Sequence, residues 1–60
     1  MRIYEFCWLY IESTEDMKIW GIEEEKYVFS GTYDEARISE FVNEEVQSFG
    51  IEDGIIVINI

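Results

Sequence analysis

The sequence predicts a single small α+β domain, with the order β-β-β-α-β and a mainly antiparallel sheet that carries one helix on one face. Sixty residues provide for one domain, residues 1–60, and not for two. Almost half of the chain (48%) is apolar and 17% is aromatic, which is enough to form a core despite the high charge. Short runs of β-branched and aromatic residues surround one segment with helical periodicity.

The first predicted strand, residues 3–11, is apolar on both sides. At a period of two its side chains separate into an aliphatic face and an aromatic face. The aromatic face consists of Tyr4, Phe6, Trp8 and Tyr10. One helix covers one side of a small sheet, and four uncovered rings approach the patch size that marks an interface. We therefore expect these four residues to mediate self-association as a homodimer or to bind a partner. The alternative is that they form cross-strand pairs on a wet sheet face and bind nothing.

Two further strands follow, at residues 17–22 and 27–30. A polar connection precedes the first of them, and Gly21 marks a potential bulge within it. The acidic run at residues 23–26 separates the two strands and reads as a hairpin loop.

One helix is predicted over residues 33–49. Thr32 stands three residues before Glu35, which is the spacing of a capping box, and Gly50 follows as a helix terminator. Apolar residues recur on one stripe of this segment, at Ile38, Phe41, Val42, Val46 and Phe49. Glu45 falls within that stripe, so its carboxylate must either reach solvent or find a buried donor.

The final strand, residues 55–60, follows a turn at Asp53 and Gly54. Its β-branched residues are typical of a strand covered on both sides. A helical crossover then makes the last strand parallel to the first, and their shared apolarity favours them as neighbours. The expected spatial order of the four predicted strands is 4-1-2-3.

The charge and the cysteine content limit the function classes. Fourteen acidic residues oppose four basic ones, giving a net charge of −10, which disfavours direct binding to nucleic acid or anionic membranes. No run has the length of a membrane span, and the start of the chain lacks the cleavage pattern of a signal peptide. One cysteine and no histidine exclude an internal disulfide and disfavour zinc, and they fit a cytoplasmic protein.

No residue set indicates an enzyme or a cofactor. Cys7 lacks any histidine to activate it and is expected to be a small buried hydrophobe. Paired carboxylates need a substrate cleft, for which a domain of this size has little room. The acidic runs at residues 12–16 and 23–25 lack the alternating ligands of a calcium loop and are explained as solvated turns.

Two functions remain. In the first, carboxylates imitate the phosphates of nucleic acid and occupy the groove of a basic nucleic-acid-binding protein. The residues expected to make this contact are Glu12, Glu15, Asp16, Glu23, Glu24, Glu25, Glu40 and Glu44. In size and composition alone, the chain resembles small inhibitors of nucleases, restriction enzymes, CRISPR effectors or polymerases, which phages and mobile elements often encode. In the second, a structural or regulatory module binds through the aromatic sheet face, and the acids only maintain solubility.

Overall fold

The computed structural model describes residues 1–10 and 15–60 and has an α+β fold. Its elements follow the order α-β-β-α-β-β, which differs from the expected β-β-β-α-β. Their bounds are α1 Ile3–Tyr10, β1 Asp16–Gly21, β2 Lys26–Thr32, α2 Tyr33–Arg37, β3 Ser48–Glu52 and β4 Ile55–Asn59. The strands predicted at 17–22, 27–30 and 55–60 are confirmed as β1, β2 and β4 to within two residues at each end.

The four strands form one mixed sheet in the order β2-β1-β4-β3. β1 pairs antiparallel with β2, β3 pairs antiparallel with β4, and the central strands β1 and β4 are parallel. The prediction that the last strand has a parallel neighbour is confirmed, but the predicted neighbour is wrong. The last strand pairs with β1 and not with the first segment of the chain, so the expected order 4-1-2-3 does not occur.

The first segment is a helix, and this corrects the prediction of a strand at residues 3–11. Ile3, Phe6 and Cys7 follow helical spacing, and all three are buried against the sheet. The segment is apolar at nearly every position and therefore also fits an extended strand, in which Ile3 and Cys7 share one face and Phe6 lies on the other. Since one sheet face needs a cover and α2 has only five residues, α1 supplies most of it.

The expected aromatic face is lost with the strand. Tyr4 and Trp8 lie one helical turn apart and are exposed, whereas Phe6 belongs to the core. Tyr10 lies at the last position of α1. The four residues therefore do not form one shared face, because residues two apart on a helix point in different directions.

The second helix is shorter than expected. The capping box is confirmed, since the Glu35 N–H donates to the Thr32 hydroxyl at 3.3 Å and the Thr32 N–H donates to the Glu35 carboxylate at 3.0 Å. The helix nevertheless ends at Arg37 instead of Phe49. The Ser39 hydroxyl donates to the Ala36 carbonyl at 2.7 Å and accepts from the Phe41 N–H at 3.3 Å, and such local bonds compete with helical ones. Neither described helix has the length and apolar character to cross a membrane.

The residues of the predicted helical stripe consequently separate. Phe41 and Val46 pack against the core from the loop 38–47, while Ile38 is 83% exposed. Phe49 lies in β3, and Gly50 is a strand residue and not a helix terminator.

The turn at Asp53 and Gly54 is confirmed and joins β3 to β4. Glu52 pairs with Ile55, so the connection has two residues, with φ values of 52° and 78°. Positive φ at both positions is the mark of a type I′ turn, for which Asp-Gly is a favoured sequence. This turn makes 48–52 a strand, because a two-residue connection folds the chain back on itself.

The core lies between α1, α2 and one face of the sheet. Met17 and Ile19 of β1 and Ile58 of β4 are fully buried there. The Cys7 thiol lies 3.9 Å from the Met17 sulfur, and it is a small buried hydrophobe as predicted. Desolvation by burial raises the pKa of Cys7 from its usual value of 9.0 to about 11.

The I′ turn predicts different effects at two glycines. Gly54→Ala should lower the free energy of unfolding by roughly 1 kcal/mol, because a side chain is disfavoured at positive φ. Gly50→Ala is the matched control, since Gly50 has open space around its Cβ position and no positive φ. Urea denaturation of both variants measures the difference. Equal losses would contradict the assigned turn.

The buried thiol predicts a pH dependence. Between pH 9 and about 11 the native state keeps the Cys7 proton while the unfolded chain loses it. The unfolded state then binds fewer protons, so stability falls as pH rises through this window. Cys7→Ala should remove this contribution and leave a shallower decline, since other groups titrate alike in both proteins. Urea denaturation at several pH values gives the two slopes, and identical slopes would show that the thiol is not desolvated.

Candidate functional site

Acidic segments meet at one end of the sheet. β1 and β4 are parallel, so their carboxyl ends lie together, and the Ile60 N–H donates to the Trp20 carbonyl at 2.9 Å. The turn 22–25 leaves β1 at this end. The N–H of Gln47, just before β3, donates to the Asn59 carbonyl at 2.8 Å. The parallel pairing therefore brings the acidic turn close to the loop that precedes β3.

A groove of about 330 Å³ lies at this junction and is called the acidic groove below. It is lined by Glu23, Glu24, Glu44, Glu45, Arg2, Asn43, Gln47 and Ile60. Four carboxylates and one guanidinium give its walls a formal charge of −3. The two amides add neutral donors and acceptors.

Local backbone geometry holds the groove's walls. The Glu25 N–H donates to the Gly21 carbonyl at 2.8 Å and closes the turn, with Glu25 at a φ of 56°. Gly21 leaves room for the Glu24 side chain, because a Cβ there would collide with the Glu24 carboxylate. On the opposite wall, the Glu44 carbonyl accepts the Ile3 N–H at 3.0 Å. The start of α1 thus fixes the loop that carries Glu44.

Glu45 is the best paired of the four acids. Its carboxylate lies 3.3 Å from the Met1 amino group and 4.0 Å from the Arg2 guanidinium, and all three side chains are exposed. Of the two outcomes that the sequence left open for Glu45, the structure shows the solvent-exposed one. Within residues 1–10 and 15–60, Glu23, Glu24 and Glu44 make no ion pair.

The structure brings together part of the predicted acidic set. Glu23, Glu24 and Glu44 line the acidic groove, whereas Glu25 lies in the same turn but outside its walls. The remaining acids are elsewhere, with Glu15 and Asp16 at the start of β1, Glu40 in the loop 38–47, and Glu12 outside the described residues. Glu45 is not among the predicted contacts, because its misfit in the helical stripe left both an exposed and a buried position open.

A second, smaller groove of about 220 Å³ runs along α1. It is lined by Tyr4, Trp8, Tyr33 and Arg37. Trp8 is 82% exposed, and Arg37 forms an ion pair with Asp34 at 3.5 Å. Of the predicted aromatic face, Tyr4 and Trp8 line this groove, with Tyr33 as a third ring that the sequence did not indicate.

The sheet face opposite α1 carries its own network. The Trp20 and Tyr27 rings meet edge to face at 4.9 Å, and the Lys18 ammonium lies 5.0 Å from the Tyr27 ring centre. The Tyr27 hydroxyl donates to the Glu52 carboxylate at 3.2 Å. Desolvation, this hydrogen bond and the charges of Glu52 and Asp53 raise the pKa of Tyr27. These contacts span the sheet above Val57, which is buried. Packing explains them without a ligand.

Comparisons with known proteins assign no family to the chain. No protein-family model, curated protein or solved structure matches it significantly. Among the residues that the structure describes, no group of three or more acidic or thiol side chains is arranged to hold a metal ion.

If the carboxylates of the acidic groove repel one another, neutralising two of them should stabilise the folded protein. The double variant Glu24→Gln, Glu44→Gln should raise the free energy of unfolding by roughly 0.5 kcal/mol more than the control Glu15→Gln, Glu40→Gln. Both variants remove two negative charges, but only the first removes them from one groove. Urea denaturation at low salt measures the difference, which should shrink as salt screens the charges. Equal stabilities would indicate that Glu24 and Glu44 do not repel each other.

Proposed function

We propose that this chain is a small cytoplasmic protein that binds a larger basic protein and blocks a site which otherwise accepts nucleic acid. The observation that carries the proposal is the acidic groove. Two segments about twenty residues apart in sequence contribute carboxylates to a single surface depression. The groove's charge of −3 belongs to a chain with a net charge of −10, so the local and overall fields have the same sign.

The mechanism is electrostatic and needs no catalysis. A basic protein that binds nucleic acid places lysine and arginine side chains where it expects phosphates. Carboxylates accept charge-assisted hydrogen bonds from the same donors. Glu23, Glu24 and Glu44 make no intramolecular ion pair in the described part of the chain, so a partner's cations need not displace an existing bond. Such association is fast and weakens as salt increases.

The decisive experiment compares two triple variants of equal charge. The immobilised chain captures proteins from a lysate at low salt, and the captured protein is tested for nucleic-acid binding and for release by a DNA duplex. Glu23→Gln with Glu24→Gln and Glu44→Gln should abolish capture, while the control Glu15→Gln with Asp16→Asn and Glu40→Gln should retain most of it.

Three outcomes would contradict the proposal. Capture that persists in the groove variant, or that DNA does not displace, rules out mimicry through this groove. Equal loss in both variants would assign the binding to overall charge and not to the groove.

A second candidate is a structural or regulatory module that binds through α1. The observation that favours it is Trp8, because a large ring at 82% exposure is a frequent anchor in protein interfaces. Trp8→Ala would then abolish capture while the groove variant retains it. That pattern is the converse of the one expected for mimicry.

A further inference from the structure

Within the described residues, the two outer strands of the sheet differ in how well their outer edges are protected. β2 carries a bulge, since Ile19 pairs with Phe29 but Trp20 pairs with Tyr27, which leaves Val28 unpaired. β2 also begins with Lys26. Bulges and lysines are common devices that prevent an edge from pairing with another chain. β3 has neither, and its five residues pair with β4 without interruption.

β3 also places apolar side chains at the sheet border. All five of its residues are exposed, with Phe49 at 55% and Ile51 at 61%. Phe49 pairs with Ile58 and Ile51 pairs with Ile56, so both point to the sheet face that α1 covers. The Phe49 ring lies 4.7 Å from the Phe6 ring, which connects this border to the core. The apolar layer therefore extends to the sheet edge.

We propose that β3 pairs antiparallel with β3 of a second copy of the chain, with the twofold axis at Gly50. The strand's sequence is self-complementary in this register. Phe49 faces Ile51 of the second copy, and the two glycines meet at the axis, where Gly50 has open space. Glu52 faces Ser48 of the second copy and not another carboxylate, which avoids the like-charge pair that destabilises sheets.

The polar pair at the ends of the register is also compatible. The Ser48 hydroxyl oxygen accepts a hydrogen bond from the Asn59 amide at 2.9 Å. A hydroxyl has one donor in addition to its acceptor sites, so Ser48 retains a proton to donate to the Glu52 carboxylate of the second copy. The pairing thus joins two four-stranded sheets and matches apolar with apolar and donor with acceptor.

The proposed β3 interface and the acidic groove are expected to respond to salt in opposite ways. Each copy carries −10, so the two copies repel at low salt and pair better when salt screens that repulsion. Binding of a basic partner to the acidic groove has the opposite salt dependence. An experiment can therefore contradict the proposed dimer without contradicting the proposed binding of a basic partner.

Analytical sedimentation tests whether the chain forms a dimer through β3. The unmodified chain should be mainly monomeric at about 0.02 M salt and should form a dimer at about 0.3 M salt, where the Debye length is short. Ile51→Lys should abolish the dimer, because it places a cation against the Phe49 ring of the second copy. Ile38→Lys is the matched control, since it changes the same residue type at a more exposed position, and it should leave the dimer intact. Circular dichroism verifies that both variants fold.

A cysteine at the axis tests the register. In this pairing the two Gly50 Cα atoms should lie about 4.5–5.5 Å apart, which is within disulfide range. Gly50→Cys should form a covalent dimer on mild oxidation at the higher salt, and Ile38→Cys should not. Cys7 is buried and stays reduced in both variants.

Several results would overturn the proposal. One is that the chain is a monomer at both salt concentrations. Another is that the Ile51→Lys variant still forms a dimer, above all if the Trp8→Ala variant does not. Failure of Gly50→Cys to cross-link faster than Ile38→Cys would overturn the register.

Discussion

The need to cover one face of the central strands governs this fold. Met17 and Ile19 of β1 and Ile58 of β4 are fully buried, and only helices or further chain can remove them from water. A five-residue α2 is too short for that, so the N-terminal segment becomes α1 and inserts Ile3 and Phe6 into the layer. A domain of this size has little core to spare, and each buried side chain carries a large share of the hydrophobic stabilisation.

The same requirement explains the polar end of the molecule. α1 is connected to the loop 38–47 through its first residues, since the Ile3 and Tyr4 N–H groups donate to the Glu44 and Val42 carbonyls at 3.0 and 3.2 Å. The loop is therefore held against the sheet end where β1 and β4 finish, beside the turn 22–25. The hydrogen bonds between α1 and the loop 38–47 thus link the helix that covers the core to one wall of the acidic groove. The groove depends on tertiary contacts that are distant in the sequence.

The exposed surface divides into regions of different character. The acidic groove is polar and charged, and the outer strand β3 exposes the apolar side chains of Phe49 and Ile51. An antiparallel pairing of two β3 strands would reverse the second sheet relative to the first, so the two acidic grooves would lie at opposite ends of the joined sheet. Self-association and recognition of a basic partner would then use separate surfaces. A small acidic chain could combine both, because one relies on burial of apolar area and the other on unscreened charge.

Features that depend on neighbouring residues can be predicted from the sequence alone. The capping box of Thr32 and Glu35, the Asp53-Gly54 turn and three of the strands follow from local hydrogen bonding, positive φ and alternation. Residues 3–10 fit both a helical and an extended period, so local pattern could not decide between them, and only the uncovered sheet face selects the helix. The pairing of β1 with β4 likewise depends on tertiary structure. The end of α2 at Arg37 instead involves local hydrogen bonds of Ser39, which the helical spacing of the apolar residues did not indicate. Glu23, Glu24 and Glu44 could be named from their charge, but their convergence and the role of Glu45 could not, because proximity between distant segments arises only when the chain folds.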